Sequence, residues 1–133
     1  PLDIIIIALG TNDLQIKYNK SAQTITENLL WYQKTIEQSY EDLENRKKYF
    51  ANGKMPKIIY ILPINFDYKN NAKIIFNKQS EQKRQEIITS FSQKKLNIIF
   101  SNDMELFDDG IHLNYNGHQQ MAKMLEKELI NNE

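Results

Sequence analysis

The sequence contains no cysteine, only three prolines, four glycines and two histidines in 133 residues. Without cysteine there is no disulfide and no thiolate chemistry, and the redox compartment stays open, because a cysteine-free chain suits either. An excess of one charge is missing too: Lys+Arg and Asp+Glu are both 17. A balanced chain has no polyanion-binding footprint, so nucleic acid is not an expected partner. No apolar run approaches the roughly 20 residues of a membrane-spanning helix, so no span is expected. Two histidines and scattered carboxylates give no ligand set with convincing metal spacing, and neither a metal nor another cofactor is expected. Both a glycine-rich phosphate loop and a G-x-G-x-x-G run are absent, which argues against nucleotide binding. The length allows one domain, residues 1–133, around a single core.

What is present begins with Ile4-Ile5-Ile6-Ile7-Ala8-Leu9-Gly10-Thr11-Asn12-Asp13, an apolar run that stops at a glycine and delivers two small polar side chains. An unalternating run of this kind reads as a strand buried on both faces of a parallel sheet, and ligands of open α/β sheets gather at the carboxyl ends of such strands. The run starts within three residues of Pro1, an unusual opening for a native chain. We therefore expect a C-terminal portion of a longer polypeptide, with any targeting segment outside it, and localisation is left open.

A polar loop, Leu14 to Lys20, precedes a long helical pattern. Ile25, Leu29, Tyr32, Ile36, Tyr40 and Leu43 recur at spacings of three and four, with Ser21 as N-cap and Asn52-Gly53 as stop, which predicts one helix over about Ala22 to Phe50. Lys57 to Leu62, β-branched and aromatic and closed by Pro63, reads as a second strand. Residues 64–78 lack a period; Asn65, Asp67, Asn70 and Asn71 mark turns, with Ile74-Ile75-Phe76 as a possible anchor. Long loops in compact domains are more often functional than idle. A helix over Gln79 to Lys95, a strand at Leu96 to Phe100, an acidic loop over 101–116 and a helix from about Gly117 to Ile130 complete the alternation. Strand and helix alternating three times predicts an α/β fold with a parallel sheet.

A neutral-pH histidine base must be His112 or His118. His112 closes Asp108-Asp109-Gly110-Ile111-His112, in the loop after the third strand. Asp109 three residues earlier could reach the imidazole Nδ1 across a tight turn, leaving Nε2 to take a proton, and Gly110 would permit that turn. A pair formed only for local order is the plainer reading of Asp-x-x-His, but this loop and the Asn12 loop leave the same edge of the inferred sheet. His118 reads as a capping or packing residue. Asn12 has two readings, an amide donor to developing oxyanion charge or a turn residue after a strand. Asp13 is expected to hold its loop by accepting backbone N–H bonds.

The block Pro1-Leu2-Asp3-Ile4 through Gly10-Thr11-Asn12-Asp13-Leu14 resembles the third signature block of the SGNH, or GDSL-type, hydrolases. Asp109-Gly110-Ile111-His112-Leu113, followed by Gly117-His118, resembles their fifth. The resemblance spans essentially the whole chain. It implies a flavodoxin-like three-layer α/β/α fold and ester hydrolysis or acyl transfer on small esters, lipids or O-acetylated carbohydrate. It also implies His112 as base, Asp109 as its orienting acid, and Asn12, with Gly10, on the oxyanion side.

That family's Gly-Asp-Ser block and its oxyanion-hole glycine both precede the third block, and no counterpart of either lies in these residues. None of Ser21, Ser39, Ser80, Ser90, Ser92 or Ser101 stands in a strand-to-helix elbow. The 133 residues alone are thus expected to be inactive, with the serine upstream of the third strand. The alternative is a non-catalytic module that holds a glycan or a protein on a degenerate hydrolase scaffold. In a flavodoxin-like order the absent first strand would pair with Ile4 to Leu9, so an open apolar edge and self-association through it are expected. Leu14 to Lys20 and Pro63 to Lys78 are expected to rim the cleft.

Overall fold

The computed structural model describes residues 1–130. Three strands, β1 (Ile4–Ile7), β2 (Lys57–Ile61) and β3 (Asn97–Ile99), form one parallel sheet in that order. Ile4 pairs with Lys57 and Ile7 with Tyr60, while Tyr60 pairs with Ile98. The helices between and after them are α1 (Ala22–Glu41), α2 (Leu43–Tyr49), α3 (Lys78–Ser92) and α4 (Tyr115–Ile130).

Side chains alternate across a pleated strand, and the register sorts them into two cores. On one face Ile7 and Tyr60 pack with Ala22, Ile25 and Leu29 of α1 and Ile87, Ile88 and Phe91 of α3. The Tyr60 ring meets Phe91 edge-on at 5.0 Å, and its hydroxyl donates to the Leu29 carbonyl at 3.2 Å. On the other face Ile59 and Ile99 pack with Met104 and with Met121 of α4. Helices thus cover both faces, giving three layers. Burying an Ile or Leu such as Ile25, Leu29 or Ile59 stabilises the fold by about 1.5–3 kcal/mol each.

Burial of β1 on both faces is not what the structure shows. The strand lies at the sheet edge, and Ile4 and Ile6 remain 41% and 45% exposed, with only Ile7 buried. The reason is geometric: α4 covers Ile59 and Ile99 on that face, and no described helix reaches across to Ile4 and Ile6.

The predicted helix over 22–50 is two helices. Ser21 caps the first, accepting from Thr24 N–H at 3.0 Å. At Asp42 the backbone turns extended and the carboxylate accepts from Asn45 N–H at 2.8 Å, restarting the helix. A side chain that offers the backbone a local acceptor competes with helix continuation. Beyond the break Leu43 is 65% exposed, so the apolar stripe ends before its periodicity does. The remaining elements fall within a few residues of their predicted bounds, and α4 starts at Tyr115 because Asn114, not His118, accepts from Gly117 N–H at 2.8 Å. His118 is exposed, and the cap is supplied by Asn114.

Candidate active site

Because all three strands run parallel, the segments that follow β1, β2 and β3 leave the same edge of the sheet. The segment after β3 carries Asp109 and His112. A tight turn forms there because Gly110 sits at φ +70°, donates to the Phe107 carbonyl at 2.9 Å and accepts from Asp67 N–H at 2.8 Å. A Cβ at Gly110 would lie 2.9 Å from that of Asp67, so both the conformation and the close approach call for glycine.

Within this turn one carboxylate gathers three bonds. Asp109 Oδ1 accepts from the backbone N–H groups of Ile111 at 2.8 Å and His112 at 3.0 Å, and Oδ2 lies 2.7 Å from His112 Nδ1. The His112 side-chain bond, then the His112 and Ile111 backbone bonds, lower the Asp109 pKa from 3.8 to about 2. The carboxylate is therefore ionised at neutral pH and faces Nδ1. The tautomer with its proton on Nδ1 donates to that carboxylate and leaves Nε2 as an acceptor, on a side chain 76% exposed to solvent. A carboxylate on one imidazole nitrogen, with the other nitrogen open to solvent, is an arrangement that can orient a histidine for proton transfer.

Asn12 stands at the other end of the edge. Gly10, at φ +103°, ends the strand segment, and its carbonyl accepts from Asp13 N–H at 3.1 Å, closing a 3-10 turn over Asn12–Leu14. Asn12 is exposed, and its Oδ1 accepts from Gln15 Nε2 at 3.0 Å. Among the described residues no side-chain or backbone group accepts from Asn12 Nδ2, so its two protons are available to a ligand. Asp13 does hold the loop, but by pairing with Lys20 Nζ rather than by accepting backbone N–H bonds. A cavity of about 450 Å³ opens beside this turn, lined by Gly10, Asn12, Lys20, Asn28, Trp31 and Tyr32 among others. Of the two segments expected to rim a cleft, Lys20 of the first lines this cavity and no residue of 63–78 does; Asp109 and His112 do not line it either.

Residues 64–78 have a different place. Ile16 N–H donates to the Ile75 carbonyl at 2.9 Å, and Asp67 N–H donates to the Gly110 carbonyl at 2.8 Å. This connection is therefore bonded to both site loops. It is seated by Phe66 and Phe76, both buried and stacked at 4.2 Å. Asn65 pegs it further, exchanging two hydrogen bonds with the Met104 backbone at 2.8 and 3.0 Å.

Arg84, 1% exposed, completes the scaffold beneath the edge. Its guanidinium forks onto the Glu81 carboxylate at 2.8 and 2.9 Å and donates to the carbonyls of Pro63 and Ser101, each at 3.2 Å, and to Asn102 Oδ1 at 2.7 Å. One side chain thus ties α3 to the segments leaving β2 and β3. Nothing in the sequence marked it, since an arginine three residues after a glutamate on a helix reads as a solvated pair.

No serine completes the site among the described residues. Ser21 caps α1, Ser80 Oγ accepts from the N–H of Asn77, the cap of α3, Ser92 donates to Ile88 O within α3, and Ser101 bonds Asp103. Among the described residues no group of three or more His, Asp and Glu side chains is placed to hold a metal ion, and no helix is long and apolar enough to cross a membrane.

Comparison with known proteins follows the same lines. Among solved structures, a carbohydrate acetylesterase family member from Sinorhizobium meliloti superposes with TM-score 0.69 at 16% identity, over 97% of this chain and 61% of that one. An aryl esterase from M. smegmatis gives TM-score 0.60 at 21% identity, over 96% and 61%. A second carbohydrate acetylesterase from S. meliloti gives 0.56 at 20%, over 96% and 62%. The chain spans about three-fifths of the length of each of these structures. At such identities the likeness is one of fold, the flavodoxin-like arrangement of SGNH hydrolases. None of the curated proteins matches the chain significantly. The family model for GDSL-like Lipase/Acylhydrolase matches residues 1–125, nearly the whole of the sequence. The chain belongs to the GDSL-like lipase/acylhydrolase family.

Proposed function

We propose that these residues supply the base, the orienting acid and one oxyanion donor of a serine ester hydrolase or acyl transferase, with the serine on polypeptide beyond the 133 residues. Small esters, lipids and O-acetylated carbohydrate are the substrate classes, the last in keeping with the acetylesterase neighbours. The observation that carries the reading is the 2.7 Å contact between Asp109 and His112 Nδ1, which leaves Nε2 as the free base.

In this role His112 Nε2 takes the proton of the serine hydroxyl as its oxygen bonds to the ester carbonyl carbon. Asp109 holds the tautomer and stabilises the imidazolium. The carbonyl oxygen gains negative charge, and Asn12 Nδ2 donates to it. Collapse breaks the bond to the alcohol oxygen, which takes the proton back from His112. Water, or a second alcohol in acyl transfer, then repeats the sequence on the acyl-serine.

The test is the natural polypeptide that contains residues 1–133 and its upstream serine, assayed on p-nitrophenyl acetate. His112→Ala is expected to lower kcat by about 10⁴-fold or more, as triad members do. Turnover that survives His112→Ala overturns the assignment. Labelling by a fluorophosphonate probe is expected as well, because only an activated serine reacts covalently; an unlabelled, inactive protein would point instead to a binding module on the same scaffold.

A further inference from the structure

We infer that Gln15 is a positioning residue that sets which end of the Asn12 amide faces the substrate. The inference rests on the oxyanion role proposed for Asn12 and adds a residue that no part of that role required.

An asparagine amide has a donor end and an acceptor end of almost the same shape, and a half-turn of the last side-chain torsion exchanges them. Only the donor end stabilises an oxyanion; the acceptor end, aimed at the same point, repels it. Asn12 is exposed, so packing does not choose between the two. In the structure Gln15 meets one of them. Its Nε2 donates to Asn12 Oδ1 at 3.0 Å, and its backbone N–H donates to the Asn12 carbonyl at 3.2 Å. The second bond belongs to the 3-10 turn and holds the two residues at the separation the first requires.

With Oδ1 turned toward Gln15, Nδ2 is turned away from it, and no described group accepts from Nδ2. In this arrangement both Nδ2 protons of Asn12 are open to a developing oxyanion. A hydrogen bond received at the amide oxygen also polarises the amide and strengthens its N–H groups as donors. The loop is itself fixed on either side of the pair. Asp13 pairs with Lys20, and Ile16 N–H donates to the Ile75 carbonyl at 2.9 Å.

Donor and acceptor substitutions at position 15 should therefore act in opposite directions, which a residue that merely fills space would not show. Steady-state kinetics of the serine-containing natural polypeptide on p-nitrophenyl acetate read the effect. Gln15→Glu offers only an acceptor, captures Nδ2 and turns the amide; kcat is expected to fall about 10²-fold, as when an oxyanion donor is lost, with KM within twofold. Gln15→Met removes the bond without reversing it and is expected to cost about tenfold or less. Gln15→Lys, a donor again, is expected to stay within threefold of the parent.

Charge repulsion by the new glutamate is separated by repeating the substitution on Asn12→Ala. There Gln15→Glu is expected to cost nothing more, since the amide it turns is gone. Equal losses for Gln15→Glu and Gln15→Met, or an undiminished glutamate effect in the Asn12→Ala background, overturn the inference. If Asn12→Ala itself leaves kcat unchanged, the oxyanion reading fails first; if it does not and the position 15 series is flat, Gln15 alone is misassigned.

Discussion

The two halves of the site are built in different ways. The Asp109–His112 half is written almost entirely within four consecutive residues, where one carboxylate receives two backbone N–H groups and an imidazole. The turn that carries it is then docked from outside by Asp67, and the chain leading to it by Asn65 and Arg84. Asn12 stands instead at the tip of an edge strand whose outer side chains are exposed, beside an open cavity. Its orientation rests on a single side-chain bond from Gln15. The Asp109–His112 pair thus has its geometry set locally and reinforced by tertiary bonds, while Asn12, the proposed oxyanion donor, follows an edge strand that is open on one side.

The sharpest way to break the contrast is to loosen the reinforced side. Arg84 is buried, and removing it takes the charge partner from Glu81 and the guanidinium donors from the Pro63 and Ser101 carbonyls, while Gln85 Nε2 still reaches Glu81 and Asn102 Oδ1. Arg84→Met is expected to destabilise the chain by about 3–5 kcal/mol, read from urea unfolding. Because the Asp109 bonds are local, the carboxyl titration of Asp109 in the folded variant is expected to keep its midpoint. A loss below about 1 kcal/mol would show that Arg84 is not what ties the two segments, within the precision of such mutational values.

The open side is tested by association. We propose that the 133-residue chain self-associates through β1, where an edge strand with free backbone groups on one side carries Ile4 and Ile6 exposed on the face that α4 leaves uncovered. Sedimentation velocity is expected to show dimers or larger species that grow with concentration. Ile6→Lys, which puts a charge on that strand, is expected to shift the mass toward the monomer. A monodisperse monomer for the parent chain at about 100 μM, tight enough to capture even weak pairing, would remove the proposal.

What the sequence disclosed follows the same division. The order of strands and helices was legible because apolar runs mark the strands and three-to-four spacing marks the helices; Asp109 and His112 stood out as candidates by their three-residue spacing, and Asn12 by its place after the first apolar run. The helix break at Asp42 was not, since the apolar stripe continues through Leu43 while the deciding bond is a single carboxylate to Asn45 N–H. The exposure of Ile4 and Ile6 was hidden as well: an isoleucine run has the same appearance whether or not a helix crosses it. Arg84 and Gln15 act through partners that are either distant in sequence or set by an amide's orientation. Neither leaves a mark in residue periodicity.

The smallest expected effect concerns the local bonds themselves. In the folded chain the Asp109 pKa is held at about 2, below its ordinary 3.8, chiefly by the His112 side-chain bond and then by the backbone N–H groups of His112 and Ile111. A folded pKa below the unfolded one means that the unfolded chain binds the proton more readily. The ionised carboxylate therefore favours the folded state above the unfolded value, and that contribution is lost as pH falls through the folded one. Between about pH 4 and pH 2 the parent chain is expected to lose slightly more stability than Asp109→Asn, with no difference in slope at neutral pH. Carboxyl-carbon NMR gives the midpoint directly. His112→Ala removes the largest contribution, the side-chain bond, together with the imidazole's Coulomb effect, but keeps both backbone donors, so the midpoint is expected to rise while staying below 3.8. A rise all the way to 3.8 would mean that the backbone bonds do not outlast the imidazole, and that the turn is held together by the side-chain pair rather than the reverse.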